Sequence, residues 1–202
     1  MRSDDTDLSA TERILDAAAR RIASAGAAAL ALSDIARDAR VSKALIHYHF
    51  ADKESLLARL IDHLAECLVD RERRALARYT GKHDPLAVDA LWEWLDGELR
   101  RGDIHVLLEL NAYRGAQVQA AARRAAAQRQ AAAEQTVAEL FGILELTPRI
   151  ESYLLATVVV AFIDGLAVAS RVEADAPPAS PSQRSPRISF DVFWLAMLSL
   201  AE

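Results

Sequence analysis

SDIARDARVSKALIHYHF, residues 33–50, decides the fold because it predicts two short helices joined by a tight turn. The first helix is expected over about 33–39 and the second over about 43–49. Apolar residues at helical spacing close a small core between the two segments: Ile35, Ala36, Ala39, Val41, Ile46 and Phe50. A pair of helices built in this way is a helix-turn-helix candidate.

The remaining side chains of the second helix are predicted to face outward, and most are basic or aromatic. They are Ser42, Lys43, Leu45, His47, Tyr48 and His49. A short exposed helix of this composition is what reading a DNA major groove requires. Periodicity alone leaves a second interpretation open, in which the two helices are part of a helical bundle with a solvated face.

Length and composition favour a soluble, almost entirely helical protein. The chain has 202 residues, is 52% hydrophobic and 26% charged, and contains only seven Gly and six Pro. Cys67 is the one cysteine, so no intramolecular disulfide is possible and a cytoplasmic setting fits. No run approaches the ~18 consecutive apolar residues of a membrane span, and the acidic first residues are unlike a signal peptide, so we expect no membrane partner.

The charge balance argues against DNA binding through bulk charge. The net charge is −5, and basic and acidic residues nearly balance within residues 1–55. Any DNA-binding surface must therefore be small, and its basic side chains must lie together on one face of the helix-turn-helix. We expect a homodimer to be needed for useful affinity.

Start and stop signals predict about nine helices. A capping box at Ser9 and Glu12 begins the first helix, and Gly26 ends it. Asp52 caps a long helix over about 53–79. Asp103 is predicted to cap the sixth helix. The other helices after the fourth are expected over about 84–101, 103–113, 116–146, 147–173 and 187–201. No stretch convincingly predicts a strand.

The run VSKALIHYHF-ADKESLL resembles the recognition helix and following helix start of the TetR (tetracycline-repressor-like) family. ERILDAAARRIASAG resembles the first helix of that family, and the resemblance covers about residues 10–65. It implies an all-α protein with an N-terminal helix-turn-helix domain (10–55) behind a flexible start (1–9). A helical ligand-binding and dimerisation domain (56–202) would follow, including a Pro/Ser-rich loop at 175–186.

The resemblance also implies a function: a dimeric repressor of a palindromic double-stranded DNA operator, relieved by a small hydrophobic effector. The residues at the positions where the family contacts DNA are Ser33, Ser42, Lys43, Ala44, Leu45, His47, Tyr48, His49 and Lys53. Ala44 stands where the family usually has Gly, and Leu45 occupies a position that is often polar. His47 replaces the family's usual Tyr. Arg40 stands where a turn Gly is common, which costs about 1 kcal/mol if that residue is left-handed. These departures leave the operator sequence open.

The last two helices are apolar around much of their circumference, which indicates either core packing or a homodimer interface. The segment AFIDGLAV resembles the family's eighth helix, which implies a four-helix bundle between two subunits. The predicted interface residues are Val158, Phe162, Gly165, Phe190, Phe193, Trp194 and Met197.

A ligand pocket is predicted from aromatic and aliphatic residues mixed with a few polar groups in the C-terminal part. Its candidate lining is Trp92, Leu95, Leu108, Asn111, Tyr113, Tyr153 and Phe162, although each is also consistent with ordinary core packing. Two pairs at helical spacing, His63 with Cys67 and His105 with Glu109, are too few ligands for a metal site. We expect no enzyme activity, no metal and no cofactor. The alternative function is an all-α ligand-binding or scaffold protein that uses its helix-turn-helix for protein contacts.

Overall fold

The structure, a computed structural model, describes residues 9–77, 79, 86–174 and 185–202. These residues form nine α-helices and one short 3₁₀ turn at Ala27–Ala29, which confirms the all-α prediction. The helices are α1 (Ala10–Ala25), α2 (Leu32–Asp38), α3 (Lys43–His49), α4 (Lys53–Leu76), α5 (Leu86–Arg101), α6 (Asp103–Asn111), α7 (Ala116–Ile143), α8 (Ser152–Ala174) and α9 (Pro186–Leu198). The predicted flexible start (1–9) and Pro/Ser-rich loop (175–186) fall almost entirely outside the described residues.

The chain divides into two compact units that do not follow the predicted boundary after residue 55. The first unit comprises the chain up to Glu66 together with Val106–Ala125. The second comprises Cys67–His105 and Ala126–Glu202. Because α4, α6 and α7 each contribute residues to both units, the N-terminal unit is larger than a helix-turn-helix domain alone.

In the first unit, α1 begins and ends with the hydrogen bonds that its sequence predicts. Ser9 Oγ accepts the Glu12 N–H at 3.2 Å, and the Glu12 carboxylate accepts the Ser9 N–H at 2.7 Å. At the other end Gly26, at φ 82°, donates its N–H to the Ile22 carbonyl at 2.8 Å. The core beneath is aliphatic: Ile14, Leu15, Ile22, Ile35, Ile46, Leu57, Leu60 and Ile61.

The turn between α2 and α3 is a Schellman ending of α2. The Arg40 N–H bonds to the Arg37 carbonyl at 3.2 Å, and the Val41 N–H bonds to the Ala36 carbonyl at 2.9 Å. This geometry holds Arg40 in the left-handed region at φ 54°, where a side chain with a Cβ is strained. The turn between α2 and α3 therefore contains a residue, Arg40, whose backbone conformation is unfavourable for any side chain other than Gly.

The predicted start of the eighth helix at Thr147 is wrong, because α8 begins at Ser152. The Thr147 N–H bonds to the Glu202 carbonyl and the Arg149 N–H bonds to the Leu200 carbonyl, each at 2.9 Å. Residues 147–149 thus lie antiparallel to the end of the chain instead of joining a helix. The same pairing ends α9 at Leu198 rather than near 201.

Three other helices end slightly earlier than predicted. α7 stops at Ile143 rather than 146, because Glu145 adopts φ 54° and the Leu146 N–H closes a Schellman bond to the Phe141 carbonyl at 3.0 Å. α4 ends at Leu76 rather than 79, and α6 ends at Asn111 rather than 113.

In the second unit, a buried ion network ties α4, α5 and α6 together. Glu98, only 1% exposed, accepts two hydrogen bonds from the Arg71 guanidinium at 2.6 and 2.7 Å. Arg71 also donates to the Asp103 carboxylate at 2.8 Å. Asp103 is the first residue of α6 rather than the predicted cap before it. A buried charge that loses its partner costs roughly 3–5 kcal/mol, so the three helices are fixed in register.

One segment, Ser152–Val172, is long and apolar enough to cross a membrane, judged by length and composition only. A helix that packs on a core and on a second subunit has the same composition. Within the second unit this helix carries Asp164, whose carboxylate is paired with the Arg129 guanidinium of α7. That ion pair and the side chains packed against α8 favour a helix that packs on protein over one that crosses a membrane.

We expect Arg40→Gly to raise the free energy of unfolding by about 1 kcal/mol, because Gly adopts φ 54° without the clash of a Cβ. Chemical unfolding followed by circular dichroism measures the change. Arg40→Ala is the matched control, since it removes the same charge but keeps a Cβ. Equal stabilisation by the two substitutions would contradict strain as the cause.

Candidate functional site

The outer face of α3 carries exposed polar and aromatic side chains on a firmly capped helix. Ser42 Oγ accepts the Leu45 N–H at 3.1 Å, which confirms Ser42 as the N-cap. Tyr48 is 82% exposed, more than any other large hydrophobic side chain among the described residues. Behind them Ile46 is buried, so the face cannot rotate inward. An aromatic side chain held out in solvent in this way indicates a binding partner.

Most of the predicted DNA-contacting residues are exposed in the structure. Exposed positions are Ser33, Ser42, Lys43, Ala44, His47, Tyr48 and His49, and Leu45 is half-buried. Ser33 lies inside the first turn of α2 rather than capping it, because Ala31 is the N-cap. His49 Nδ1 lies 3.3 Å from Thr11 Oγ1 of α1, so its ring is oriented by the first helix.

The positive charge around α3 is smaller than the count of basic residues indicates. Arg37 pairs with the Asp34 carboxylate at 2.9 Å, and Arg21 donates to both carboxylate oxygens of Asp38 at 2.5 and 3.0 Å. Within the described part of the chain, Lys43 has no carboxylate partner. The cation on α3 is thus available to a phosphate, whereas much of the charge on α2 is already neutralised.

Lys53 supports the two-helix unit from beneath. Its ammonium donates to the Ala27 carbonyl at 3.2 Å and the Leu30 carbonyl at 3.0 Å, so two of its three donors hold the connection between α1 and α2. Its predicted DNA contact stays a prediction that depends on the third donor. The Ala27 N–H is held in turn by the Glu109 carboxylate of α6.

A second carboxylate joins the start of α4 to the start of α7. Glu54 Oε1 accepts the Gln117 N–H at 2.7 Å, one of the free N–H groups at the beginning of a helix. Further along, Arg124 of α7 donates to both carboxylate oxygens of Asp62 at 2.8 to 3.3 Å. Together with Glu109 these bonds explain why Val106–Ala125 belongs to the first unit.

An apolar stripe runs along the outer face of α8 and continues on α9. On α8 it is formed by Leu154, Val158, Ala161, Gly165, Val168 and Val172, and on α9 by Ile188, Val192 and Leu195, all exposed. The alternating steps of four and three residues are the spacing of a helix that packs along a second helix. A Cβ at Gly165 would meet no atom within 4 Å.

The predicted interface residues divide between this stripe and the core of the second unit. Val158 and Gly165 lie on the stripe, whereas Phe162 and Phe193 are half-buried and stack on each other at 4.0 Å. Phe190, Trp194 and Met197 are at most 5% exposed, because they face the inside of the unit. The exposed apolar face is therefore made mostly of smaller aliphatic residues than predicted.

A narrow cavity lies inside the second unit. It has room for about one water molecule, and Leu95 and Phe162 of the predicted pocket residues line it. Trp92 packs instead on the Phe190 ring and under the Arg187 guanidinium, and Tyr153 is exposed. The other three predicted residues, Leu108, Asn111 and Tyr113, belong to the first unit.

Sequence reasoning missed the polar residues of this cavity, Glu72 and Thr136. Burial raises the pKa of the Glu72 carboxyl to about 7, against the opposing effects of a hydrogen bond from Thr136 and the nearby Arg129 charge. The signal was present in α4, where Glu72 lies four residues after the buried Leu68 and four before the buried Leu76. A carboxyl group at the spacing of buried apolar residues predicts that the carboxyl group is itself buried and needs a polar partner.

Members of the two pairs considered as metal ligands have other partners in the structure. His63 lies 3.7 Å from Asp16, and Glu109 accepts the Ala27 N–H. Among the residues that the structure describes, no group of three or more His, Cys, Asp or Glu side chains could hold a metal ion.

Comparison with known proteins identifies a family match that includes the whole helix-turn-helix. Residues 14–60 match the family model for bacterial regulatory proteins of the tetR family, a range that spans part of α1, all of α2 and α3, and the start of α4.

Curated relatives extend the match along part or most of the chain. The HTH-type transcriptional regulator BetI of Rhizobium meliloti is 38% identical over 95 residues, which cover 41% of this chain and 47% of that protein. BetI of Brucella suis is 26% identical over 167 residues, which cover 83% of this chain and 82% of that protein. The chain thus spans about half the length of the first relative.

Solved structures share the fold over nearly the whole chain. A transcriptional regulator from Rhodococcus sp. Rha1 is 20% identical with a TM-score of 0.72, covering 96% of this chain and 98% of that one. The transcriptional regulator FadR from Bacillus subtilis, solved in complex with stearoyl-CoA, is 17% identical with a TM-score of 0.68, covering 93% and 97%. At these identities the likeness shows the fold alone.

We expect Glu109→Ala to lower the free energy of unfolding by about 1–3 kcal/mol, because the Ala27 N–H loses its acceptor. Glu109→Gln is the matched control, since its amide oxygen still accepts that bond. Chemical unfolding of the two variants measures the difference. Losses of equal size would show that the hydrogen bond does not hold the connection between α1 and α2.

Proposed function

Because the chain belongs to the tetR family of bacterial regulatory proteins, we propose that it is a dimeric DNA-binding transcriptional regulator that represses a palindromic operator. A small hydrophobic effector bound in the second unit relieves the repression. The protein acts in the cytoplasm, where its DNA target lies. The family match and the regulatory relatives give no reason to assign an enzyme activity.

The exposed face of α3 is the observation that carries the DNA-binding proposal. Lys43 supplies a cation without a carboxylate partner among the described residues, and Tyr48 stands almost fully in solvent beside it. Lysine at the start of a helix suits contact with a phosphate or a guanine edge, and a tyrosine hydroxyl suits a phosphate oxygen. The capped and buried back of α3 holds these side chains in fixed positions.

The dimer proposal rests on the apolar stripe of α8 and α9. An exposed row of aliphatic side chains at steps of four and three residues is costly in water and packs well on a copy of itself across a two-fold axis. A palindromic operator then follows, because two recognition helices related by a two-fold axis read two inverted half-sites.

The effector proposal rests on the cavity in the second unit, which is lined by aromatic and aliphatic side chains with Glu72 and Thr136 among them. A similar fold is found in a regulator solved with stearoyl-CoA, which supports ligand binding by this architecture. Glu72 lies on α4, the helix that begins shortly after the end of α3.

We expect purified protein to select a palindromic sequence from genomic fragments at moderate salt, and Lys43→Ala and Tyr48→Ala each to weaken binding of that sequence by about tenfold or more. Arg100→Ala is the charge-matched control, because it removes one exposed cation from the second unit and should bind normally. Electrophoretic mobility or fluorescence anisotropy measures the affinities, and log affinity should fall steeply with log salt.

Two results would contradict DNA reading by α3. One is an enriched palindrome that both α3 variants still bind with wild-type affinity. The other is an interaction that hardly changes with salt, which would favour the use of the helix-turn-helix for protein contacts.

We expect Val158→Glu and Leu195→Glu to convert the dimer to a monomer, because each places a charge in the apolar stripe. Ala138→Glu, on an exposed position of α7, adds the same charge elsewhere and should leave the dimer intact. Size-exclusion chromatography with light scattering measures the mass. A dimer that survives both stripe substitutions would place the interface on another surface.

A further inference from the structure

We propose that the cavity of the second unit binds a small organic cation, with an aromatic or aliphatic body against its rings and its ammonium group on the Glu72 carboxylate. The inference rests on the proposed function in one respect, since it names the chemical class of the effector. The binding itself is a property of the second unit and is tested without DNA.

The walls of the cavity provide five aromatic rings around a limited space. They are Trp94, Phe162, Phe190, Phe193 and Trp194. Phe162 and Phe193 stack with their planes 5° apart, and Phe193 meets Trp194 edge to face at 5.7 Å. Aromatic faces attract cations, and most strongly where water is excluded.

Glu72 supplies the counter-charge at this aromatic wall. Its side chain is only 6% exposed, and it lines the cavity together with the hydroxyl-bearing Thr136, which donates a hydrogen bond to it. A buried carboxylate without an ion-pair partner is unfavourable, so the position favours a ligand that brings a positive charge.

The charged groups around Glu72 come from three helices. Arg73 lies next to it on α4, Arg129 approaches from α7, and Glu98 approaches from α5. The Arg73 side chain is exposed, so water screens its charge. Arg129 is neutralised by the Asp164 carboxylate of α8, and Glu98 by the Arg71 guanidinium of α4. No cation is therefore dedicated to Glu72 among these described neighbours, and its own charge is the one left for a ligand.

A second polar group adds selectivity. The indole N–H of Trp94, another residue of the cavity wall, is buried without an acceptor among the described residues. A buried donor without a partner is costly, so a ligand oxygen near the ammonium group adds affinity. In this structure the cavity has room for about one water molecule, so a ligand with an aromatic or aliphatic body binds only if the rings of the wall move apart.

The test uses three probes of nearly equal size and different charge: benzylammonium, benzyl alcohol and benzoate. Isothermal titration calorimetry and quenching of the intrinsic fluorescence of Trp94 and Trp194 report binding to the full-length protein. We expect benzylammonium to bind about tenfold more tightly than the other two, or better, at pH 8. Glu72→Gln should abolish that preference, and the exposed Glu66→Gln on the same helix should leave it unchanged.

A pH series on the unmodified protein keeps the test independent of the variant's folding. Burial raises the pKa of Glu72 to about 7, so the carboxyl is mostly neutral at pH 6 and mostly charged at pH 8. Benzylammonium keeps its charge throughout this range. Its affinity should rise about tenfold per pH unit below pH 7 and level off above it, whereas benzyl alcohol should bind equally at each pH.

The proposal is overturned if none of the three probes binds saturably, if benzoate or benzyl alcohol binds as tightly as benzylammonium, or if Glu72→Gln keeps the preference. Benzylammonium that binds through Glu72 yet leaves operator affinity unchanged supports the cation site and removes only its effector role. If the unliganded protein binds no operator at all, the proposed function is contradicted, and the cation site is still judged by the probe titrations alone.

Discussion

The helix-turn-helix of this protein depends on the hydrogen bonds of one ammonium group, that of Lys53. Lys53 begins α4 shortly after the recognition helix, and it holds the Ala27 and Leu30 carbonyls at the entrance of α2. Its side chain thus connects the start of α4 with the segment that leads into α2. The Glu109 carboxylate fixes the same entrance by accepting the Ala27 N–H, and Glu54 joins α4 to α7. Through these bonds, a movement of α6 or α7 within the first unit would shift the entrance of α2 and the start of α4.

Features set by a few neighbouring residues could be predicted from the sequence. The capping box at Ser9, the Gly26 stop and the bounds of α3 all follow from bonds between groups within four residues of each other. The start of α8 could not be predicted, because residues 147–149 pair with the distant end of the chain. The bonds of Glu54 and Glu109 to distant N–H groups leave no local pattern in the sequence either. The sequence therefore did not predict that Val106–Ala125 belongs to the first unit.

The two predicted surfaces differ in how well the sequence determines them. On α3 the buried Ile46 and the cap at Ser42 fix which side chains face outward, and the structure agrees. On α5, Trp92 and Trp94 lie two residues apart, about 200° around the helix, so only one can line a given cavity. Hydrophobicity does not distinguish them, and the prediction chose Trp92 where the structure uses Trp94. For α9 the large aromatic residues fill the core, which leaves the smaller aliphatic ones for the exposed stripe.

The pairing of charges in the first unit is an argument for the proposed dimer, because a single subunit offers few cations to DNA. Asp34 and Asp38 neutralise Arg37 and Arg21, so the recognition surface of one subunit keeps few free cations, with Lys43 foremost. Few phosphate contacts give a half-site that binds weakly on its own. When two such half-sites are joined in one dimer, their binding free energies add, and the translational and rotational entropy of binding is lost only once. A substitution in the apolar stripe of α8 therefore costs more operator affinity than the loss of any one contact on α3, although the stripe lies in the other unit of the chain.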